Sequence, residues 1–377
     1  MPSNAARRIK SISYARYGYY FIIPFFIVYI LFQFWPLIQT FIIAFYGNTD
    51  LGNVNGDGSR IQNLKYTDEF VGFQNISELL FNNNNESAGR SIRVNSTDFW
   101  QSLENTLILW IGNFLPQISL SLLLAVWFTD AKIKIKGKGF FKVIMYLPNI
   151  ITAASVAALF KTLLDDTPKF PGPVNGFFMD LLGRDLKADQ PFTFIANITS
   201  EQPWLPRASV MFIQTWLWFG NTMLMLMSGI MGINGSLFEA ADIDGANSWQ
   251  VFVHITLPLL RPIMLYTLVT SMIGGLQMFD IPLLFRQGPT FASVNPNLRT
   301  IAVFIFSKFQ ADKVKNAWGY AGAASVILFV MTSILGTIAF YINRDKDALA
   351  KKKQIKKLIK QQKIKAQKAT LGGYSGL

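Results

Sequence analysis

The chain has 377 residues, of which 51% are hydrophobic, 14% aromatic and only 15% charged, with a net charge of +13 and no cysteine. Soluble domains run nearer a quarter charged, so this composition excludes an ordinary water-soluble globule and requires a bilayer as solvent. The lack of cysteine excludes disulfides, thiolate metal sites and cysteine nucleophiles, and a single histidine leaves no histidine-based metal site.

Taken in chain order, six apolar runs reach the roughly 20 residues that a helix needs to cross the hydrocarbon core. They are Tyr19 to Tyr46, Ser102 to Phe128, Phe141 to Leu164, Ala208 to Ile233, Leu257 to Leu284 and Trp318 to Ile342. The expected fold is therefore all-α and polytopic. Arg7, Arg8, Lys10 and Arg16 precede the first run. That run is too long for a signal-peptide core and no small-residue cleavage site follows, so it reads as an uncleaved anchor. Internal Pro24, Pro36, Gly112, Pro116, Pro148, Gly274 and Gly275 mark expected bends.

Positive charge sets the orientation. The N-terminus (residues 1–18), the short loop "DAKIKIKGKGFFK" with Lys132, Lys134, Lys136, Lys138 and Lys142, and the basic tail (344–377) all fall on one side of six spans. That side is expected to be cytoplasmic, as are both termini. The transmembrane body is expected over 19–343, and its loops 47–101, 165–207 and 285–317 then face outward. The first of them carries the run "NNNNES", which reads as a surface excursion because asparagine side chains compete for backbone hydrogen bonds. Triplets at Asn75, Asn85, Asn95 and Asn197 fit a glycosylation acceptor, a pattern frequent by chance.

Between spans four and five, on the cytoplasmic side, runs "SLFEAADIDGANSWQVFVHITLPLLRP", Ser236 to Pro262. Ser236 and Glu239 have capping-box spacing, which predicts a short helix from Leu237 to about Asp244. Glu239 and Asp242 would sit toward its positive end. Gly245 suits the left-handed residue that ends a helix. A second helix is expected from Asn247 or Ser248, with Trp249, Phe252, Val253 and Ile255 on an apolar stripe, and Pro258 and Pro262 at first turns or a bend. Periodicity alone describes an ordinary capped connection. His254 reads as structural.

The spacing adds more. Glu239-Ala240-Ala241, then Gly245, then Ile255-Thr256-Leu257-Pro258 resembles the EAA loop of binding-protein-dependent ABC importer permeases. The wider wording is most similar to the sugar-uptake branch, the maltose-type first permease. "FVGFQNISELL" (70–80), "DFWQSLENTL" (98–107), "GKGFFKVIMYLP" (137–148), "FDIPLLFRQGPT" (279–290, with Gln287 where a glycine is usual) and "GYAGAASVIL" (319–328) resemble other parts of the family, so the likeness runs from about Tyr19 to Asn343. It implies a type I ABC importer permease fold in the bacterial inner membrane. It further implies a second homologous permease, two cytoplasmic ABC ATPases and an extracytoplasmic solute-binding protein as partners. The loop 234–258 would be the coupling helix that docks on the ATPase, through Glu239, Ala240, Ala241, Asp242, Gly245, Ile255, Leu257 and Pro258.

Catalytic chemistry is missing from the sequence. No G-x-x-x-x-G-K-[ST], H-E-x-x-H, triad or dinucleotide fingerprint is present, so the chain reads as a transport subunit rather than an enzyme and binds no cofactor; ATP and Mg belong to the partner ATPase. A sugar pathway needs aromatic faces and amide or carboxylate partners. Gln214, Trp216, Trp218 and Asn221 in span four, with Gln277, Phe279 and Asp280 in span five, supply those types at membrane depth. The competing reading makes them interfacial aromatics and helix staples.

In the tail, Ile355, Leu358, Ile359 and Ile364 recur among lysines, which suits an anionic membrane surface or a solvated helical tail; without aromatic interleaving, nucleic acid is not an expected partner. The resemblance thus implies a sugar or oligosaccharide importer permease. Its rivals are the same machine for a polyol or glycerol-phosphate, an ion-coupled transporter, which would need charged relays in the spans, and a membrane enzyme, which would need a catalytic cluster at one interface.

Overall fold

A computed structural model describes residues 15–54, 60–81, 96–130, 133–167, 171–183, 191–195, 204–286, 288, 294–310, 318–342, 354–355 and 358–359. Five helical stretches are long and apolar enough to cross a membrane: Tyr17–Ala44, Ser96–Thr129, Trp204–Met231, Arg261–Leu284 and Trp318–Tyr341. They coincide with five of the six expected spans.

The third span departs from a single helix. It is a broken pair, Lys138–Ile150 and Ala153–Leu163, bent by 94°. At 1.5 Å per residue the arms reach only about 20 Å and 16 Å, so neither alone covers a core of about 30 Å. Pro148 sits in the tight turn Leu147–Ile150, where the chain loses a donor. Thr152 then starts a fresh helix by accepting from the Ser155 amide at 3.3 Å.

The elements run as follows: α1 (Ala15–Tyr29), α2 (Trp35–Ala44), β1 (Tyr46–Val54), β2 (Arg60–Phe70), α3 (Gln74–Phe81), α4 (Ser96–Thr129), α5 (Lys138–Tyr146), α6 (Ala153–Leu163), α7 (Pro173–Leu181), α8 (Trp204–Met231), α9 (Gly235–Ile243), α10 (Ser248–Val251), α11 (Leu257–Leu259), α12 (Arg261–Leu276), α13 (Asp280–Leu284), α14 (Ile301–Gln310) and α15 (Trp318–Ile342). The helical body matches the all-α expectation. The expected loop 47–101 carries most of one antiparallel hairpin, β1 with β2, with Tyr46 opposite Phe70. The "NNNNES" run lies outside the described residues.

Two wide π-type segments interrupt the helices, Ile30–Phe34 and Phe252–Thr256. In each, the amide that closes the segment reaches back five residues, Trp35 to the Ile30 carbonyl and Leu257 to the Phe252 carbonyl. Both are followed at once by proline, Pro36 and Pro258. A proline ring collides with the carbonyl four residues earlier, and the wider turn gives that carbonyl room without breaking the helix. The expected proline bends are thus realised as π turns at two positions.

Two compact units result: Met1–Asn113 with Ile151–Gln214 and Gly275–Met331, and Phe114–Ile150 with Thr215–Gly274 and Thr332–Leu377. In the first, Ala44, Leu79, Phe99, Phe304, Tyr320 and Ala323 form the core. The small residues of "GYAGAASV" let α15 approach α2 closely: a Cβ on Gly322 would lie 2.8 Å from the Ala44 nitrogen. Asn75, buried at the start of α3, donates to the Ala44 carbonyl at 2.9 Å and the Tyr46 carbonyl at 2.8 Å, closing the end of α2. Its amide is therefore engaged inside the fold, which removes Asn75 as a glycosylation acceptor. Asn85, Asn95 and Asn197 lie outside the described residues. Glu78 accepts a hydrogen bond from the Tyr320 hydroxyl.

Asn105 on α4 holds the segment before α14. Its Nδ2 donates to the carbonyls of Pro296 (2.7 Å) and Arg299 (3.1 Å), and its Oδ1 accepts from Arg207 Nη2 at 2.7 Å. Next to it, Thr106 Oγ1 accepts from the Ile301 amide at 2.8 Å. Burial lowers the basicity of Arg299 and of Lys308, and the Asp98 carboxylate partly opposes both shifts. Asn105→Leu strips two carbonyls and a buried guanidinium of their partner, so it is expected to cost about 3–5 kcal/mol. A thermal unfolding scan of purified protein checks this; an unchanged midpoint would remove the anchoring role.

In the second unit, Phe128, Met223, Leu226, Met227, Ile230 and Leu260 pack together. Gly229 admits the side chains of Leu260 and Ile263 against α8.

Candidate functional site

The expected coupling segment is a helix–turn–helix, and its first cap differs from the sequence reading. Asn234, not Ser236, begins α9, its Oδ1 accepting from the Ser236 amide at 3.1 Å. Asparagine is among the strongest N-cap residues, and its place two positions upstream shifts the helix start. Glu239 therefore sits mid-helix. Asp242 lies in the last turn and Asp244 is the C-cap, the end where the helix dipole disfavours carboxylates. A partner's cationic groups would relieve that cost.

The capping box occurs instead at the start of α10. Asn247 Oδ1 accepts from the Gln250 amide and Gln250 Oε1 from the Asn247 amide, both at 2.8 Å. This realises the expected second helix start. Between the two helices Gly245 has φ +73°, a conformation that L side chains rarely adopt. Its amide donates to the Asp242 carbonyl at 3.2 Å, and the Ala246 amide to the Ala241 carbonyl at 2.9 Å. The pair forms a Schellman turn, the tightest common way to end one helix and redirect the chain.

Ala241 is buried, while Glu239, Ala240, Asp242 and Gly245 are exposed. The small Ala241 faces inward and its neighbours are presented outward. Two large apolar residues join them: Ile243 is 86% exposed and Trp249 70%. Ile243 is a contact candidate that the motif does not include; its signal in the sequence is a lone isoleucine between two aspartates. Ile255 and Leu257 are half-buried in the root of the lever, and Pro258 is exposed at the first turn of α11. His254 Nδ1 lies 3.0 Å from the Gln250 carbonyl, consistent with a structural role. A groove of about 470 Å³ lined by Gly229, Gly232, Asn234, Leu237, Leu259 and Ile263 leaves space beside α9.

The expected pathway residues divide. On α8, Gln214, Trp218 and Asn221 recur at four and three residues and so share one face, whereas Trp216 falls on the opposite side. Gln214 is buried, Trp218 and Asn221 exposed and Trp216 half-buried. In span five the helix stops at Leu276 and restarts at Asp280, so Gln277, Phe279 and Asp280 lie at a break rather than on a continuous face. Thr300 Oγ1 donates to the Met278 carbonyl at 2.6 Å and ties down that break. Gln277 and Asp280 are exposed, and Phe279 meets Phe306 edge-on at 5.0 Å.

A polar set that the sequence reading passed over also meets α8. Gln117 Nε2 donates to Thr222 Oγ1 at 2.8 Å, Ser121 Oγ to the Phe219 carbonyl at 2.7 Å, and Asn149 Nδ2 to the Leu217 carbonyl at 3.4 Å. Together they staple α4 and the end of the α5 arm to α8 around Gly220, where small and polar residues substitute for a hydrophobic driving force.

Comparison with known proteins bears on the family of the chain. Residues 106–346 match the family described as the binding-protein-dependent transport system inner membrane component. The chain is 28% identical over 261 residues to the lactose transport system permease protein LacF of Rhizobium radiobacter, covering 68% of this chain and 80% of that one. It is 25% identical to the arabinooligosaccharides transport system permease protein AraP of Bacillus subtilis, over 86% of this chain and 88% of that one. To the maltodextrin transport system permease protein MalC of Streptococcus pneumoniae it is 26% identical, over 90% and 72%. A crystal structure of a bacterial alginate ABC transporter, in complex with a periplasmic protein holding an alginate pentasaccharide, has a chain of the same fold. The TM-score is 0.65 at 22% identity, covering 90% of this chain and 97% of that one.

Proposed function

Because the chain belongs to the binding-protein-dependent transport system inner membrane components, we propose that it is the permease subunit of an ATP-driven importer that carries a sugar or oligosaccharide. As a member it is a multi-pass inner-membrane transport subunit, not an enzyme. The solute class is supported by relatives named for lactose, arabinooligosaccharide and maltodextrin transport, which reach most of the chain.

The observation that carries the mechanism is the Schellman turn at Gly245, which projects Ile243 and Trp249 from a rigid pair of capped helices. An exposed apolar pair flanked by Glu239, Asp242 and Asp244 fits a cleft with a greasy floor and a basic rim on an ATPase. In this reading ATP and Mg bind the two partner ATPases, whose closure pushes on loop 234–258. The push passes through Ile255, Leu257 and Pro258 into α12. A second, homologous permease completes the pathway, and a binding protein delivers solute to the outward loops, 47–101 among them. Both termini, 1–18 and the tail from 344, lie in the cytoplasm. Gln214, Trp218 and Asn221, with Gln277, Phe279 and Asp280, offer stacking faces and hydroxyl partners along the route. Trp216, on the other side of α8, serves packing instead.

The test is reconstitution. The chain, co-expressed with its membrane partners, should copurify with an ATPase. Vesicles holding the complex should hydrolyse ATP faster when a binding protein loaded with an oligosaccharide is added. Copurification without any ATPase would overturn the importer reading, and stimulation by glycerol-phosphate alone would overturn the sugar assignment.

A further inference from the structure

We propose that the lysine-rich tail is a membrane-surface element that docks on anionic lipid headgroups beside the last span. The family match ends at residue 346, and residues 343–377 carry eleven lysines and arginines against two aspartates. This segment therefore holds most of the excess positive charge of the chain while lying almost entirely beyond the family match.

Gln354, Ile355, Leu358 and Ile359 are helical, and the three apolar side chains are exposed. At about 100° per residue they fall within a single arc of about 100°. In the sequence Lys352, Lys353, Lys356, Lys357, Lys360 and Lys363 stand before, between and after these apolar residues, and Ile364 follows them, all outside the described residues. The stripe is thus short, so charge rather than buried hydrocarbon dominates the attraction, and the contact must be sensitive to salt. Six lysines adjoining these apolar residues in sequence complement a surface of acidic headgroups over acyl chains, worth a measurable increment per lysine. A base-stacking partner would call for aromatic faces, and residues 344–373 contain none.

Reach favours the same occupant. α15 ends at Ile342, and eight residues separate it from Lys351, a tether of at most about 29 Å when extended. The segment is therefore held permanently close to the bilayer its last span crosses. This inference rests only on that span and not on the solute, so its failure would leave the importer reading untouched.

The lack of native cysteine makes the test direct. A single Ile359→Cys, labelled with an environment-sensitive fluorophore, is placed in the full chain and reconstituted in two kinds of nanodisc. One is phosphatidylcholine alone and the other an equimolar mixture with phosphatidylglycerol. Blue-shifted, brighter emission is expected only in the mixture, reversed by raised salt. Replacing the six lysines by glutamine should reverse it too, each contributing roughly fivefold to the partition. Identical emission in both lipids would overturn the proposal. So would a shift that follows only the addition of single-stranded RNA or of the purified ATPase.

Discussion

A Gly245→Pro permease is expected to insert and accumulate normally, yet to drop to background in solute uptake and in binding-protein-stimulated ATP hydrolysis. Gly245 holds φ at +73° and its amide closes the turn onto the Asp242 carbonyl. Proline fixes φ at about −65° and has no amide hydrogen, so both requirements fail together. The damage is confined to a turn whose added Cβ meets open space, so the spans themselves are untouched. Gly245→Asn keeps access to the left-handed region and should retain most of the uptake; Gly245→Ala, which pays about 1–2 kcal/mol there, should fall between. Paired assays of membrane abundance and uptake check the series. Normal uptake in the proline variant would sink the coupling role of this loop.

The second large effect lies inside the membrane. Gly220→Ala is expected to destabilise the chain by about 2 kcal/mol or more, and Gly220→Leu to prevent its accumulation. A Cβ at this position runs into the Met145 carbonyl group, with its carbon at 2.7 Å and the Tyr146 Cα at 2.9 Å. These are backbone atoms of the α5 arm and cannot swing aside. Gly112 supplies the contrast. The atoms nearest its added Cβ all belong to the Met211 side chain, with Cε at 2.6 Å, and a methionine tip can repack. Gly112→Ala should therefore stay within about 1 kcal/mol of the parent in the same unfolding scan. Equal losses at the two glycines would show that close backbone approach is not what Gly220 provides.

The spans were legible because each is a long apolar run, and hydrocarbon burial needs only length and composition to declare itself. The loop was legible because Gly245, Ala241 and Asn247 act locally, each through neighbours within a few residues. What stayed hidden depends on distant partners. Nothing near Asn105 in sequence says that it will bind carbonyls at Pro296 and Arg299, almost two hundred residues away. Gly220 and Gly112 look alike in an apolar run, and only the approaching atoms distinguish them. The cap at Asn234 was missed for the opposite reason: Ser236 and Glu239 have capping-box spacing, but an equally good N-cap residue two positions earlier holds the helix start. In span three Pro148 marked a bend, but the full break also needed Thr152 to start a fresh helix, which an average of hydropathy smooths over.

The π turn at Phe252–Thr256 bears on what the spacing between Gly245 and Ile255 encodes. A π turn is in effect one surplus residue carried within an otherwise α-helical stretch. Losing that residue would let the stretch close as plain α-helix, with everything beyond it rotated by about 100° and drawn in by about 1.5 Å. The nine positions after Gly245 therefore count phase more than distance: they set the azimuth at which Trp249 faces outward while Ile255 and Leu257 face the root. A one-residue deletion there would leave a helix of respectable composition pointing its docking face the wrong way.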